Sequence, residues 1–150
     1  HIHVDGKIID VIPTSQLNLE EKYYQKIPYE NPKISIDNLK EDYFGKIFGT
    51  RSGDKGGCAN LGVWAKSQEA YSFLFDFLTV KKLKELLPDL EKFEIDRFEL
   101  PNIYSLNFYV HGILQDGVSS STRMDGQAKS LGEYLRAKKI NFPEQLLKQI

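Results

Sequence analysis

The chain has 150 residues, of which 41% are hydrophobic, so we expect one domain with an ordinary buried core. Lys and Arg total 20 against 21 Asp and Glu, and this near-neutral balance argues against a nucleic-acid partner, because phosphate binding needs a basic excess. No apolar run approaches the roughly 18 residues of a membrane helix. The single cysteine, Cys58, excludes an internal disulfide and a cysteine-rich zinc site. We therefore expect a cytoplasmic protein without a metal or cofactor.

The chain divides into an arm, residues 1–42, and a body, residues 43–150. In the arm, Asp5-Gly6 between two short apolar stretches predicts a hairpin with a type I′ turn. The rest of the arm shows no sustained periodicity, which predicts an extended connector with one helical turn around Leu19–Tyr24. Because the chain does not begin with Met, we expect a fragment of something longer.

The body alternates strand and helix patterns. Period-2 and period-3.6 spacings predict the order strand, strand, two helices, strand, strand, helix. The apolar phase of the third strand shifts between Ile95 and Phe98, which indicates a bulge. This order predicts an α+β fold, a two-layer ferredoxin-like sandwich of a mostly antiparallel sheet with helices on one face. The predicted strands cover 43–51, 59–65, 93–100 and 103–113, and the predicted helices cover 67–78, 79–87 and 127–138, with a last turn opening at Pro143.

The inward positions of these patterns predict one buried core. It comprises Leu61, Val63, Phe73, Leu74, Leu83, Leu86, Leu106, Phe108, Val110, Leu131 and Leu135.

The segment between the first two strands holds the most functional information. Ser52 to Cys58 is predicted as a loop, and glycines in a loop let backbone N–H groups approach an anion closely. Arg51 can hold a carboxylate or phosphate by a two-pronged contact, and Lys55 can add a point charge. The segment is neither a P-loop nor a dinucleotide fingerprint. The alternative is a plain hairpin connection whose Asp54 and Lys55 stabilise the turn.

A second polar segment precedes the last predicted helix. Arg123, Asp125, Gln127 and Lys129 either meet the glycine segment beside a helix N-terminus or serve locally, with Asp125 as a helix cap. Because both segments mix cations with a carboxylate, we expect residues 51–58 and 121–129 to lie side by side.

Two isolated polar residues also have alternatives. Asn107, on the polar face of the best strand, either satisfies nearby backbone or anchors the glycine segment. Cys58 would be a nucleophile only beside a base, and no histidine has a recognisable partner setting, so we expect no catalytic Cys–His pair.

Four ordered blocks identify a family resemblance. The blocks are 50–56 with 59–63, 97–102, 106–108 and 121–129, with the sequences TRSGDKG and ANLGV, RFELPN, LNF, and STRMDGQAK. Together they resemble the small C-terminal domain of the acyclic terpene utilisation protein A (AtuA-like) family, over residues 43–143. The chain departs from the commoner pattern at Phe98, where Tyr is frequent, and has Cys58 at a variable position.

The resemblance implies a ferredoxin-like domain that follows a much larger N-terminal domain, so residues 1–42 would be the tail of that domain and the domain itself a partner. It also implies a setting in acyl-CoA-linked catabolism of acyclic terpenes and branched chains. Independently, the 8 Tyr and 9 Phe predict a homo-oligomer, because a thin two-layer domain cannot easily cover so much apolar surface.

Three functions follow as hypotheses. The first is a binding or assembly domain whose polar site takes an acyl-CoA phosphate or a carboxylate. The second is part of a composite enzyme site, with Lys55 or Asp54 transferring a proton. The third is a purely structural dimerisation or interdomain module, so whether the domain is an enzyme stays open. The candidate ligand-binding residues are Arg51, Ser52, Gly53, Asp54, Lys55, Gly56, Asn60, Asn107, Arg123, Asp125, Gln127 and Lys129.

Overall fold

The structure, a computed structural model, describes residues 2–9, 29 and 31–148. The helical turn predicted around Leu19–Tyr24 and much of the predicted connector lie outside these residues. The N-terminal hairpin is confirmed, with β1 (Ile2–Val4) antiparallel to β2 (Lys7–Ile9). Asp5 and Gly6 have φ values of 48° and 73°, the two positive angles that a type I′ turn requires.

The body combines six further strands with five helices among the described residues. Ser67 and Thr79 cap two of these helices, each side chain accepting a backbone N–H three residues on. In chain order the elements are β3 (Leu39–Tyr43), α1 (Phe44–Ile47), β4 (Gly49–Lys55), β5 (Cys58–Trp64), α2 (Gln68–Phe77), α3 (Val80–Leu86), β6 (Ile95–Leu100), β7 (Ser105–Val110), α4 (Leu131–Arg136), β8 (Lys139–Pro143) and α5 (Glu144–Leu147).

The main sheet has four strands in the order β4-β5-β7-β6, and all neighbours are antiparallel. Strands β5 and β6 therefore run parallel with β7 between them, and α2 and α3 connect them, which makes a split β-α-β unit. If the elements are taken in the order β7, α4, β4, β5, α2 with α3, and β6, they form the β-α-β-β-α-β order of a ferredoxin-like fold. The α+β ferredoxin-like prediction is confirmed, with the chain starting at a different strand of the cycle.

The core lies between one face of this sheet and the helices. Its central rows are Leu61–Phe108 and Val63–Leu106, which are cross-strand pairs with no exposed surface. All predicted core residues are buried except Leu86, which is half-buried. The core extends into an aromatic cluster, because the ring of Phe142 on β8 lies 5.9 Å from Phe48 and 5.8 Å from Phe73.

A second, two-stranded sheet joins β3 to β8, with Leu39 opposite Pro143 and Tyr43 opposite Lys139. The predicted strand over 43–51 is wrong because α1 interrupts it. Phe44 and Ile47, three residues apart, are both buried on the same side of this helical turn. The strand β8 was not predicted.

The predicted bulge in the third body strand is also wrong, because β6 pairs with β7 in regular register. The apparent phase shift arises because a charged residue, Arg97, occupies an inward position. Its guanidinium pairs with Glu99 at 2.6 Å, donates to the Phe75 carbonyl at 2.7 Å and stacks over the Phe75 ring. Phe98 consequently points to the other face and is exposed.

Within the described part of the chain, the helices are all too short or too polar to traverse a bilayer.

Leu106→Ala is expected to lower the free energy of unfolding by about 2–5 kcal/mol, because it leaves a cavity in the centre of the sheet. Urea denaturation measures this change. The matched control is Leu39→Ala, which trims a side chain that is 52% exposed and should cost less than about 1 kcal/mol. Equal losses for the two variants would contradict the assignment of the core.

Candidate functional site

The glycine segment is a tight hairpin, so the loop predicted over Ser52–Cys58 is wrong. Strand β4 continues to Lys55, which pairs with Cys58, and only Gly56 and Gly57 remain as the turn. Gly56 has a φ of 62°, and a Cβ on Gly57 would lie 2.0 Å from the Gln115 carbonyl oxygen. The charged residues of the segment therefore belong to strand β4, in which the side chains of successive residues point to opposite faces of the sheet.

The two predicted polar segments meet where α4 packs on β4. The Ser52 hydroxyl donates to the Lys129 carbonyl at 3.2 Å and accepts the Gly132 N–H at 2.9 Å. A Cβ on Gly132 would lie 2.8 Å from the Thr50 hydroxyl oxygen, so the absence of a side chain permits this close approach. The prediction that residues 51–58 and 121–129 lie side by side is confirmed.

The last helix begins later than predicted, at Leu131 rather than Gln127. Asp125 is responsible, because its carboxylate accepts the Lys129 N–H at 2.8 Å and the Ser130 N–H at 3.0 Å. Ala128 within this turn has a left-handed φ of 51°. The helix predicted over 127–138 is thus confirmed only over Leu131–Arg136. Asp125 serves locally, but it closes the turn before α4, whose N-cap residue is Ser130.

A small polar cavity, called the edge cavity below, lies beside this junction. It measures about 180 Å³. Two cations, Arg51 and Lys129, are on its wall, and neither forms an ion pair with any residue that the structure describes. Its lining residues are Thr50, Arg51, Ser52, Lys129, Gly132 and Glu133.

A buried hydroxyl without a partner also lines the edge cavity. Thr50 is 9% exposed, and its Oγ1 has no hydrogen-bond partner. The one carboxylate on the wall, Glu133, lies 3.2 Å from the Arg136 guanidinium, so a protein cation partly neutralises it. A small anion could pair with both cations, whereas the Thr50 hydroxyl, which faces Gly132 and has no accessible surface, would reach the anion only after a small shift of α4.

The structure separates other predicted site residues from this cavity. Arg123 and Asp125 line another cavity of about 370 Å³, beside the fully exposed Met124. Gln127 is exposed and lines neither cavity, and the Lys55 ammonium donates to the Asp54 carbonyl at 3.0 Å. Gly56 is in the turn, whereas buried Gly53 is close to Lys129, since a Cβ there would lie 3.3 Å from Nζ.

The sequence analysis missed Thr50, Gly132 and Glu133. A signal existed for Gly132, because a glycine inside a helical pattern marks a close packing contact. For Thr50 the only signal was its inward phase on β4 next to Ser52.

Asn60 and Asn107 lie on the face of the sheet opposite the helices. The Asn60 amide donates to the Asn107 side-chain oxygen at 3.4 Å across β5 and β7. This contact differs from both alternatives considered for Asn107, because the partner is neither backbone nor the glycine segment. The pair is remote from the inward-facing Thr50 and Ser52, so it does not line the edge cavity.

Cys58 lies on the same outer face. The Gly112 N–H donates to its sulfur at 3.4 Å, and a hydrogen bond between Cys58 and Tyr109 raises the pKa of the tyrosine above its ordinary value. His111 directs its Nε2 to Asp96 at 2.7 Å. Among the described residues, no group of three His, Cys, Asp or Glu side chains is placed to hold a metal ion.

A family model for the AtuA ferredoxin-like domain matches residues 44–141, more than half of the chain. The chain belongs to this family. The matched range of this AtuA ferredoxin-like domain contains the main sheet and every residue of the edge cavity. No curated protein and no solved structure matches the chain.

Ser52→Ala is expected to lower the free energy of unfolding by about 1–3 kcal/mol, because it leaves the buried Gly132 N–H without an acceptor. Urea denaturation measures the loss, and hydrogen exchange should show faster exchange at the Gly132 amide.

The control for this prediction is Ser105→Ala, which removes a hydroxyl that donates to the Ile103 carbonyl in an exposed setting. It should change stability by less than about 0.5 kcal/mol. An unchanged Gly132 exchange rate in Ser52→Ala would contradict the role of Ser52 as the link between β4 and α4.

Proposed function

We propose that this AtuA ferredoxin-like domain binds the anionic group of an acyl-CoA or a related carboxylic acid in the edge cavity. The observation that carries the proposal is the convergence of Arg51 and Lys129 on a cavity with an unpartnered, buried Thr50 hydroxyl. Both cations are exposed to solvent and neither pairs with a carboxylate among the described residues, so an anion in the cavity could bind them without breaking an ion pair.

The electrostatics favour a charged ligand over a neutral one. At an effective dielectric constant near 20, a unit charge about 4 Å from an anion contributes roughly 4 kcal/mol before desolvation. After desolvation, a hydrogen bond to a charged group retains about 1.5–3 kcal/mol. Arg51 supplies a planar two-pronged donor and Lys129 a mobile point charge, a combination suited to phosphate or carboxylate.

The size of the cavity limits what part of the ligand it holds. Sites for drug-sized molecules occupy about 300–1,000 Å³. A cavity of about 180 Å³ holds a phosphate or a carboxylate with a short substituent. The remainder of an acyl-CoA would lie outside the cavity, against the outer surface or a neighbouring domain.

The identity of the ligand class rests on the family. AtuA-like proteins are associated with acyl-CoA-linked catabolism of acyclic terpenes and branched chains, and this domain follows a larger N-terminal domain in them. We place the present chain in the same cytoplasmic setting, with that domain as its partner. The composite enzyme hypothesis is less well supported, because neither Asp54 nor Lys55 lines the edge cavity.

Arg51→Ala and Lys129→Ala are each expected to weaken anion binding by about 10- to 100-fold, since each removes one charge-assisted contact. Isothermal titration calorimetry with coenzyme A, inorganic phosphate and isovalerate measures this and separates phosphate from carboxylate recognition. The control, Lys81→Ala, makes the same charge change on the exposed side of α3 and should bind like the parent protein. Equal binding by all three variants would sink the proposal, as would no binding of any probe to the parent.

Thr50→Val separates a binding role from a structural one. Valine has nearly the same shape without the hydroxyl, so the free energy of unfolding should stay constant or rise when an unsatisfied buried oxygen is removed. Anion affinity should nevertheless fall, because the ligand loses a hydroxyl contact. A variant that binds the probes as tightly as the parent would show that Thr50 does not face the ligand.

A further inference from the structure

Among the described residues no helix packs on one face of the main sheet, which is called the open face below. It is formed by the outward side chains of β4, β5, β7 and β6, opposite the face that packs on the helices. Three large apolar side chains on it, Trp64, Phe98 and Leu100, are 38%, 51% and 43% exposed. Exposed large apolar side chains on one face of a sheet favour an interaction surface.

The two edge strands contribute opposite characters to the open face. Strand β4 presents the cations Arg51 and Lys55, separated by glycines at 49 and 53. Strand β6 presents Asp96, and Glu94 lies at the next outward position before it, since its carbonyl accepts the His111 N–H. One edge is therefore basic, whereas the other is acidic and bulky.

We infer that the open face binds a second copy of this chain. A two-fold axis parallel to the strands places β4 over β6 of the second copy and β5 over β7. Lys55 then lies over Glu94 of the second copy and Arg51 lies over Phe98, and each contact occurs twice by symmetry. A face that is complementary to itself in charge identifies its occupant as another copy of the same face.

The two-fold axis also determines which apolar side chains of the two copies meet. The cross-strand row that crosses the sheet at its Trp64 end reads Gly49, Trp64, Ser105, Leu100. The two-fold axis puts Trp64 over Ser105 and directs Leu100 to the indole that covers Gly49, so the bulky apolar side chains of the two copies meet each other. Stacked sheets lie about 10 Å apart with a rotation of about 30°, which displaces the edge rows by about one residue.

The size of the open face predicts a reversible dimer. Four strands of about seven residues cover roughly 19 by 23 Å, or about 900 Å² over both copies, before side-chain relief is added. This is near the lower limit for specific interfaces. We therefore expect a dissociation constant in the micromolar range. The dimer does not depend on anion binding, but Arg51 belongs to both surfaces, so the test uses other residues.

Trp64 is the only tryptophan in the chain and reports directly on the open face. Sedimentation velocity from about 1 to about 200 µM brackets a micromolar dissociation constant. The mass should rise from 17.3 kDa to twice that value. Over the same range Trp64 emission should shift to shorter wavelength and acrylamide quenching should fall, because the indole leaves water.

Charge reversal tests the orientation of the two copies. Lys55→Glu and Glu94→Lys should each weaken dimerisation by about tenfold, because both symmetric contacts become repulsive. The double variant Lys55→Glu/Glu94→Lys should recover most of the loss, since the two residues lie on opposite edges of one sheet and meet only between copies. Lys81→Glu, the same charge change on α3, should dimerise like the parent.

The outcomes are decisive in each direction. Dimerisation that protects Trp64 and is restored in the double variant supports the inference. A protein that stays monomeric over the whole range overturns it, as does an association that leaves Trp64 quenching unchanged. A double variant that remains as weak as the single variants rejects the two-fold arrangement.

Discussion

The close contact of α4 with β4 is the constraint on which the candidate site depends. A helix can approach an edge strand this closely only where side chains are absent or make hydrogen bonds across the gap. Gly132 provides the first condition and Ser52 the second, since its hydroxyl accepts the Gly132 N–H and donates to the Lys129 carbonyl. This contact sets Lys129 beside Arg51 although the two residues lie far apart in the sequence. Both cations stay exposed to solvent, and the contact determines only that they line the same cavity.

The glycines of β4 make room for neighbouring side chains and do not form the flexible loop that a glycine-rich sequence suggests. A glycine-rich stretch between strands ordinarily indicates a flexible loop. In β4, however, Gly49 lies beneath the Trp64 indole, where a Cβ would be 2.2 Å from a ring atom. Gly53 leaves room for the Lys129 ammonium. Both positions are in a regular strand, and the missing side chains make space for neighbours rather than for chain flexibility.

Whether an element could be predicted from the sequence depends on the physical origin of its sequence pattern. Strands β5 and β7 were predictable because one face of each is buried against helices, and burial imposes strict alternation. Strand β3 is exposed or half-exposed along its length and shows no apolar period, whereas its partner β8 does alternate buried Ile140 and Phe142 with exposed residues but is only five residues long. Strand β6 is at the sheet edge, where Arg97 reaches back to the Phe75 carbonyl and reverses the expected phase. The two motif segments meet as expected, but through the Ser52 hydroxyl and backbone groups rather than through the charges on which the expectation rested. Thr50 required the three-dimensional packing of α4.

The pairing of β3 with β8 brings the two ends of the body together. Leu39 opens β3 and lies directly opposite Pro143 at the end of β8, so these two residues are about one strand spacing apart, with residues 31–38 before β3 and α5 after β8. The strands near the two ends of the unit are thus hydrogen-bonded to each other. A domain whose two ends lie close together can be inserted into a surface loop of another protein, because the loop need not open widely to accept it.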